Sequence, residues 1–329
     1  MRAAWYERTG PAREVIVVGE MPTPSPGPGE VLVRLATSGV NPSDWKARGG
    51  SRPMLAPRII PHSDGAGTIE AVGDGVDAAR IGGRVWIWNG QWQRALGTAA
   101  DYIALPAAQA VPLPAGTSFQ EGACLGIPAL TAWRAVQVDG GVAGQRVLVA
   151  GGAGAVGHYA IQMAKLMGAA QVIATVSSPG KAAHAKAAGA DAVIDYKTQD
   201  VAAAVKELTG GQGVDRVVEV DLAANAALLP QIVARGGLCT CYGSGKPEMA
   251  LPFFPLILSG VAIRFFIVYD LPAEARAEGL ATLTRWMEAG ALRHAIGAVM
   301  PLEDCAEAHD LVARGEVMGN VVLDCASSL

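Results

Sequence analysis

The sequence predicts an α/β protein with two domains, and three observations support this fold class. The chain has 329 residues, more than the roughly 250–300 at which a single core stops growing. Short apolar stretches separated by Gly/Pro turns fill residues 1–123, whereas strands alternate with helices over residues 124–270. A glycine run, G-x-G-x-x-G, joins the first strand of the second region to its helix. We therefore expect a mostly β domain followed by a doubly wound parallel sheet.

The elements of both domains can be read in order. In the first, VLVRLATSGV and GTIEAV are predicted strands, and PTPSPGPGE is a turn. The second gives six strands: RVLVAG, QVIATV, DAVID, VDRVVEV, GLCTCYG and AIRFFIVYD. Helices are predicted between them, one over Val156–Met167 and one over ANAALLPQIVA. Such alternation is typical of a parallel sheet covered on both faces.

The tail, residues 271–329, has a different pattern. It predicts a helix in EARAEGLATLTRWMEAGAL, an extended HAIGAVMPLED, a helix in EDCAEAHDLVARG and a final strand in GNVVLD. We expect this segment to return to the first domain.

Composition excludes several classes of function. The net charge is −4 and no Lys/Arg cluster appears, so nucleic acid is not an expected partner. No stretch approaches the ~20 apolar residues of a membrane span, and the start lacks the apolar block of a signal peptide. We therefore expect a cytoplasmic protein. Its five irregularly spaced cysteines are expected to be reduced thiols in the core.

The glycine run predicts a pyrophosphate site. One glycine makes the sharp turn, the next lets the backbone approach the phosphates, and the last lets helix and strand pack closely. Backbone N–H groups at the helix start then face the anion. The residues concerned are Gly152, Gly154, Ala155, Val156 and Gly157. A plain turn with close packing is the alternative, but the strand and helix on either side favour a dinucleotide.

The end of the second strand favours NADPH. NAD-preferring sites usually have Asp or Glu there, whereas QVIATV ends in Ser177 and Ser178, with Lys181 soon after. Hydroxyls and an ammonium suit a 2′-phosphate, and Tyr196 after the third strand could add a hydroxyl or a ring face. In the alternative interpretation, Ser177 caps the helix and Lys181 is solvated.

The segments resemble the medium-chain dehydrogenase/reductase superfamily, specifically its zinc-free quinone oxidoreductase (zeta-crystallin-like) branch. The similarity includes GVNPSDWKARGG, PHSDGAGTIEAVGDGV, GGRVW, GTAADYIALPA, GIPALTAWRAV, GGAGAVG, YGSG and GNVVLD. NPSD and SDGAG point to the zinc-free branch. The resemblance implies a GroES-like β-barrel catalytic domain and a Rossmann domain. It also implies a homodimer through the last Rossmann strand, IRFFIVY, although a tetramer stays open.

Further cofactor contacts are expected from the strand ends and from the resemblance. Ligands bind at the carboxyl ends of the strands in such folds, which indicates the residues after the fifth strand. The resemblance adds a threonine in PALTAW, for which a plain helix position is the alternative, and four residues carried over by alignment. Together these residues are Thr131, Asn225, Tyr242, Gly243, Ser244, Phe266, Val268 and Asn320.

No metal is predicted. Zinc-dependent relatives carry a Cys near the start of the NPSD stretch and Gly-His-Glu where this chain has HSD. Asn41 occupies the first position. Aligned on Gly67, Ser63 takes the place of the ligand histidine, and His62 falls one residue early. A catalytic zinc usually has three protein ligands, and no such set is visible. We expect His62 and Asp64 to form hydrogen bonds around a turn.

The predicted chemistry is hydride transfer to an electron-poor acceptor, which needs only a donor for the developing oxyanion. Asn41 is the first candidate for a polar contact at the nicotinamide or the acceptor oxygen, and Asp44 for positioning the loop. By alignment, Lys46 replaces a tyrosine of the relatives, with Trp45 beside it. Lys46 either donates to the oxyanion or points into solvent.

Three tryptophans are notable in a chain with 5% aromatic residues. Trp86 and Trp88 would share a strand face, and Trp92 follows in a loop. They either line a flat apolar pocket for an aromatic acceptor or pack in the core, the latter favoured for Trp86. Three histidines are expected at the surface: His184, His294 and His309.

The sequence therefore predicts an NADPH:quinone reductase. The same fold could instead reduce an activated alkene, such as an enone, an enoyl thioester or a haloacrylate, and no sequence feature separates the two. A non-enzymatic NADPH-binding protein and a zinc alcohol dehydrogenase are the remaining alternatives.

Overall fold

The computed structural model describes residues 1–326, which divide into two compact units. Unit 1 comprises Met1–Pro128 and the segment that begins at Leu280, and unit 2 comprises Ala129–Gly279. The predicted boundaries at residues 123 and 270 lie slightly earlier in the chain. The second division falls within a long helix, so no loop marks it in the sequence.

The first part of unit 1 is mostly β structure. Its strands are β1 (Arg2–Trp5), β2 (Val17–Glu20), β3 (Glu30–Val40), β4 (Asp64–Val72), β5 (Arg84–Ile87), β6 (Tyr102–Pro106) and β7 (Ala110–Pro112). Its helices are α1 (Ala12–Val15), α2 (Pro42–Lys46) and α3 (Phe119–Gly122). The 11-residue strand β3 is central, because it pairs antiparallel with both β4 and β6.

Unit 2 is a parallel sheet with intervening helices. Its strands are β8 (Arg146–Val149), β9 (Gln171–Val176), β10 (Ala192–Asp195), β11 (Val214–Glu219), β12 (Val233–Cys241) and β13 (Ala262–Phe265). Its helices are α4 (Leu130–Gln137), α5 (Ala155–Leu166), α6 (Pro179–Ala187), α7 (Val201–Leu208), α8 (Leu222–Asn225), α9 (Leu229–Ile232) and α10 (Phe253–Ser259), with α11 (Ala273–Glu288) crossing into unit 1.

The six strands of unit 2 have the order β10-β9-β8-β11-β12-β13, and every pair is parallel. This confirms the predicted six-stranded doubly wound sheet. The order reverses between β8 and β11, the point at which such sheets bind ligands. Two predicted elements differ from the structure. The strand predicted over AIRFFIVYD is limited to Ala262–Phe265, and a short 3-10 turn over Val268–Asp270 follows it. The single helix expected over ANAALLPQIVA is broken into α8 and α9, because Pro230 at the start of α9 cannot continue a preceding helix.

The end of the chain completes unit 1. It contributes β14 (Ile296–Pro301), α12 (Cys305–Arg314) and β15 (Asn320–Asp324). Strand β15 pairs antiparallel with β3, and β14 pairs parallel with β15. The resulting seven-stranded sheet has the order β14-β15-β3-β4-β5-β7, with β6 also on β3.

Each unit has its own apolar core. The core of unit 1 includes Val33, Ile69 and Leu323, and that of unit 2 includes Leu148 and Val217. All five cysteines lie in residues 1–326 as buried free thiols, which confirms that prediction. Among the helices of these residues, none combines the length and the hydropathy that a membrane span requires.

Candidate active site

The glycine loop joins β8 to α5 in unit 2. Gly151 makes the sharp turn, with φ +67°, a conformation that favours glycine. A Cβ on Gly157 would lie 2.3 Å from the carbonyl oxygen of Gly151, so helix and loop are in close contact there. A Cβ on Gly154 would meet nothing closer than 3.4 Å, so this side of the loop is open. The turn therefore depends on a glycine just before the predicted motif.

The start of α5 can bind an anion. Gly154 is its N-cap residue and provides no side-chain acceptor for the first N–H groups of the helix. These N–H groups, from Ala155 onward, have no partner within the helix, and the helix dipole adds positive potential. This is the arrangement that holds phosphate at the N-terminus of a helix.

Two serines and a tyrosine lie at the ends of the neighbouring strands. Ser178 is the N-cap of α6, and its hydroxyl accepts a hydrogen bond from the backbone N–H of Lys181 at 3.4 Å. The backbone N–H of Tyr196 donates to the carbonyl of Val176, which brings Tyr196 next to Ser177. The predicted 2′-phosphate residues are therefore neighbours. The capping role considered for Ser177 was assigned one residue too early, because Ser178 is the cap.

The next two strand ends meet around a buried carboxyl group. Glu219 ends β11, and its Oε1 accepts hydrogen bonds from the N–H of Asp221 at 2.6 Å and from Nδ2 of Asn225 at 3.0 Å. Burial raises the pKa of Glu219 above its ordinary value. The backbone N–H of Tyr242 donates to the Glu219 carbonyl. Burial, followed by the nearby Glu219, raises the pKa of the Tyr242 hydroxyl.

Unit 1 places a buried amide between two buried carboxyl groups. The backbone N–H of Asn41 donates to Asp44 Oδ2 at 2.7 Å, and its side-chain Nδ2 donates to Asp64 Oδ2 at 2.9 Å. Asp64 also accepts from the N–H of Ile127 at 3.0 Å. Burial raises the pKa of Asp44 to about 7 and that of Asp64 well above its ordinary value. Asn41 is therefore held in one orientation.

Comparison with known proteins agrees with both units. The alcohol dehydrogenase GroES-like domain matches residues 27–115, and the zinc-binding dehydrogenase domain matches residues 155–285. The quinone oxidoreductase of Homo sapiens is 30% identical, with 98% of this chain and 97% of the relative covered. The alcohol dehydrogenase of Geobacillus stearothermophilus is 32% identical, with 98% and 99% covered.

Solved structures give the same result. A structure of Escherichia coli quinone oxidoreductase complexed with NADPH aligns with a TM-score of 0.89 at 25% identity, covering 98% of this chain and 100% of that one. An NAD-dependent alcohol dehydrogenase aligns with a TM-score of 0.91 at 35% identity, covering 98% and 99%. The chain is a medium-chain dehydrogenase/reductase. It belongs to the quinone oxidoreductase family of that superfamily, as the resemblance implied, and is an oxidoreductase that uses a nicotinamide cofactor.

The residues of this medium-chain dehydrogenase/reductase do not fit a catalytic zinc at the family position. The Asn41 amide is bonded to Asp64, and the Ser63 hydroxyl accepts from the backbone N–H of Gln91 at 3.3 Å. Within residues 1–326, no group of three His, Cys or carboxylate ligands forms around Asn41. We therefore derive no step through zinc there.

The aromatic residues of the enzyme separate into two environments. Trp86 is fully buried in the core, whereas Trp88 lies just past the end of β5 and is partly exposed. Trp92 is partly exposed, and its ring stacks on the Arg52 guanidinium at 5.3 Å. The ammonium of Lys46 lies 5.8 Å from the ring of Trp45, which is also partly exposed.

The remaining predicted cofactor residues fall in both units. Thr131 is buried on α4, and the rings of Tyr242 and Phe266 are 6.3 Å apart. The carbonyl of Val268 accepts from Arg276 at 2.6 Å. Asn320 lies in unit 1 instead, where its side chain donates to the carbonyl of Ala295 at 2.9 Å.

Two residues that follow β12 complete the predicted cofactor contacts. Gly243 tolerates no side chain, because a Cβ there would lie 2.3 Å from the Val220 carbonyl oxygen. The hydroxyl of Ser244 donates to the carbonyl of Lys246 at 2.6 Å.

Sequence reasoning missed three features. The expectation that His309 lies at the surface was wrong, since it is fully buried, and His184 and His294 are partly buried. Glu219 could have been suspected, because it is an acid among the valines at the carboxyl end of the strand VDRVVEV. The role of Asp64 towards Asn41 carried no local signal, since β3 and β4 must pair before the two residues meet.

Proposed function

We propose that this chain is a zinc-independent, NADPH-dependent reductase that transfers hydride to a quinone. The observation that supports this most is the Asn41 amide, held by Asp44 and Asp64 at the position where zinc-dependent relatives have a metal ligand. An amide donor suffices for an acceptor that takes hydride readily, whereas alcohol oxidation needs a base that removes the hydroxyl proton, or a metal. The buried thiols suit a reducing compartment, and we expect the enzyme to act in the cytoplasm.

Each polar group has a proposed task. When bound, the nicotinamide supplies the hydride, and the chain provides orientation and electrostatics. Asn41 uses one N–H of its amide on Asp64, and we assign the second to the acceptor oxygen, where charge develops. Asp44 and Asp64 are positioning residues. Lys46 delivers the proton that completes the hydroquinone.

NADPH selectivity is assigned to the end of β9. Ser177, Ser178 and Lys181 offer donors and no carboxylate, which suits a 2′-phosphate. The test is Ser177→Asp, with Ser177→Ala as its matched control. Ser177→Asp should lower kcat/KM for NADPH by at least tenfold and raise the ratio of kcat/KM for NADH to that for NADPH. Ser177→Ala should lower kcat/KM for NADPH only slightly. Equal use of both cofactors by the wild type would contradict this assignment.

The acceptor is tested with the chelator-treated full-length protein. Nicotinamide oxidation is followed with a benzoquinone, an ortho-quinone, an enone and 2-chloroacrylate, each with NADPH and with NADH. We expect the fastest NADPH turnover with a quinone, and at least a tenfold loss of kcat in Asn41→Ala with little change in NADPH binding. Activity that disappears on chelation and returns with zinc would overturn zinc independence. Tight NADPH binding without turnover would favour the non-enzymatic alternative.

Reduction of a carboxylate-bearing alkene is the second candidate. A 2-haloacrylate reductase of Burkholderia sp is 30% identical over 98% of this chain and 98% of its own length. Arg52, stacked on Trp92 and bonded to Gln91 Oε1 at 2.7 Å, provides a positioned guanidinium that could bind a substrate carboxylate. Loss of 2-chloroacrylate turnover in Arg52→Gln, with quinone turnover kept, would favour this candidate.

We also propose that two copies associate through β13. This strand lies at the end of the sheet, and its outer backbone groups are available to a second strand. Around it lies an apolar patch whose side chains are 48–73% exposed: Phe253, Phe254, Ile257, Leu258, Phe265 and Ile267. Patches of this kind are rare on monomers. Because an edge strand can pair with itself around a two-fold axis, a second copy is the proposed occupant.

Solution mass tests the association. Phe254→Glu should convert the dimer to a monomer in light scattering, because two charges would meet at the interface. Val17→Glu is the matched control, since Val17 is 51% exposed but lies in unit 1. A monomeric wild type at micromolar concentration would contradict the proposal.

A further inference from the structure

Three potential metal ligands meet inside unit 1. Nε2 of His62 and Nε2 of His309 are 2.9 Å apart, and Cys305 completes a group whose ligand atoms all lie within 4.8 Å of one another. All three residues are fully buried. We propose that His62, Cys305 and His309 form a zinc-binding site that ties the N-terminal and C-terminal parts of unit 1 together.

The spacing of two ligands is that of a helical chelate. Cys305 is the first residue of α12, and His309 follows four residues later, so both side chains lie on one face of the helix. Position i and i+4 ligands on a helix bind zinc in other proteins. The N-terminal end of a helix also favours a thiolate, the form in which cysteine binds a metal.

His62 is held in an unusual backbone conformation. Its φ is +76°, in the left-handed region that non-glycine residues rarely adopt, so the backbone is strained there. Such strain persists where a side chain is needed in one place. Here it directs the imidazole at His309 and not toward solvent.

The second ring nitrogen of each histidine, Nδ1, also has a hydrogen-bond partner. Nδ1 of His62 is 2.9 Å from Ser38 Oγ, and Arg48 Nε donates to Nδ1 of His309 at 3.4 Å. Without metal, His309 therefore carries its proton on Nε2 and donates it to His62, whose Nδ1–H donates to Ser38. Outer contacts of this kind orient imidazole ligands in metal sites.

Zinc would take the place of the proton shared by the two imidazoles. That proton moves to Nδ1 of His309, the long contact from Arg48 is given up, and the thiol of Cys305 releases its proton to solvent. Zinc binding thus releases one proton. The charge of Arg48 opposes the cation, whereas the thiolate and the Asp44 carboxyl near Cys305 offset it.

The distance between the two imidazole nitrogens suits zinc after a small movement. Two Zn–N bonds of about 2.0–2.1 Å at a tetrahedral angle separate the nitrogens by about 3.3 Å. The imidazoles need to part by a few tenths of an ångström from 2.9 Å. Three protein ligands leave the fourth position to a water molecule.

The test is cobalt titration of the chelator-treated full-length protein. We expect one Co²⁺ per chain, a thiolate-to-cobalt charge-transfer band, displacement of Co²⁺ by Zn²⁺, and a rise in Tm with either metal. His62→Gly should abolish all four and still fold, because glycine suits φ +76°. Cys305→Ala should abolish the charge-transfer band.

Cys325→Ala is the matched control, since it removes another buried thiol of unit 1 that is not a proposed ligand. It should keep the band. No band and no bound metal in the wild type, or an unchanged band in Cys305→Ala or His62→Gly, would overturn the proposal. NADPH-dependent turnover is read separately, so failure of the metal site and failure of the reductase proposal are distinguishable.

Discussion

The two units build their candidate sites from different parts of the chain. In unit 2, backbone groups form the candidate phosphate site: Gly151 makes the turn, and the first N–H groups after Gly154 have no partner within the helix. In unit 1, side chains form the site, with Asn41 held between the carboxyl groups of Asp44 and Asp64. A backbone site needs only glycine and a helix start, whereas a side-chain site needs distant strands to pair correctly. Substitutions in the first site should act by distorting the backbone. Substitutions in the second should act by leaving buried polar groups without hydrogen-bond partners.

The largest expected effect is in the glycine loop. Gly157→Ala places a Cβ 2.3 Å from the Gly151 carbonyl oxygen, where only backbone could yield, so the loop must distort. We expect a loss of about 1–3 kcal/mol in the free energy of unfolding and at least a hundredfold weaker NADPH binding. Gly154→Ala should keep the wild-type Tm and weaken binding about tenfold, because its Cβ meets only ordinary contacts. Calorimetry and fluorescence titration measure both, and wild-type affinity in Gly154→Ala would refute a phosphate contact there.

The second effect is on unit 1. Asp64→Ala leaves the Asn41 amide and the Ile127 N–H without their acceptor, at about 1–3 kcal/mol each. Asp64→Asn keeps an oxygen that can accept from both, so it should retain most of the stability. Urea unfolding compares the variants. Equal losses of stability in Asp64→Ala and Asp64→Asn would mean that Asp64 does not stabilise the fold through these hydrogen bonds.

The third effect is a pH dependence. Because burial raises the pKa of Asp44 to about 7, the folded state binds the extra proton between about pH 4 and pH 7. The contribution of Asp44 to stability is therefore lost as pH rises through this range. Burial lowers the pKa of His62 to about 3, and its contribution changes in the opposite direction below pH 6.5. The pH dependence of the wild type alone would mix these contributions with those of other buried groups, such as Asp64 and Glu219.

Asp44→Asn isolates this contribution, since the amide oxygen can still accept from the Asn41 N–H. The free energy of unfolding of Asp44→Asn minus that of the wild type should rise by on the order of 1–4 kcal/mol from pH 4 to pH 7. Above pH 7 this difference should stay constant. Parallel curves for the two proteins would show that Asp44 is not protonated in the folded state.

The smallest effect separates two adjacent serines. Ser178→Ala removes the cap of α6 and should cost about 0.5–1 kcal/mol, the lower part of the usual range, because the hydrogen bond is long. Ser177→Ala should leave the Tm unchanged and act only on NADPH. Thermal unfolding and cofactor kinetics of both variants test this, and a shared loss of Tm would contradict the division of roles.

How much could be predicted from the sequence also differs between backbone features and buried side-chain contacts. The parallel sheet, the glycine loop and most helix positions were predictable, because apolar periodicity and glycine spacing are local signals. The surface position expected for His309 was wrong, because its partner His62 lies 247 residues earlier in the chain. Asp64 was expected to form hydrogen bonds around a turn, but nothing near it in the sequence indicates that its partner is Asn41. Buried polar groups are specified by tertiary pairing, which periodicity does not encode.

The pairing of β15 with β3 has a consequence for synthesis of the chain on the ribosome. Val40 pairs with Val321, and the whole of unit 2 is translated between them. At roughly 5–20 residues per second, β3 waits for its partner for on the order of tens of seconds. Unit 2 is contiguous and can fold during that interval, although unit 1 emerges first. Unit 2, the middle of the chain, should therefore acquire protection from proteases before unit 1.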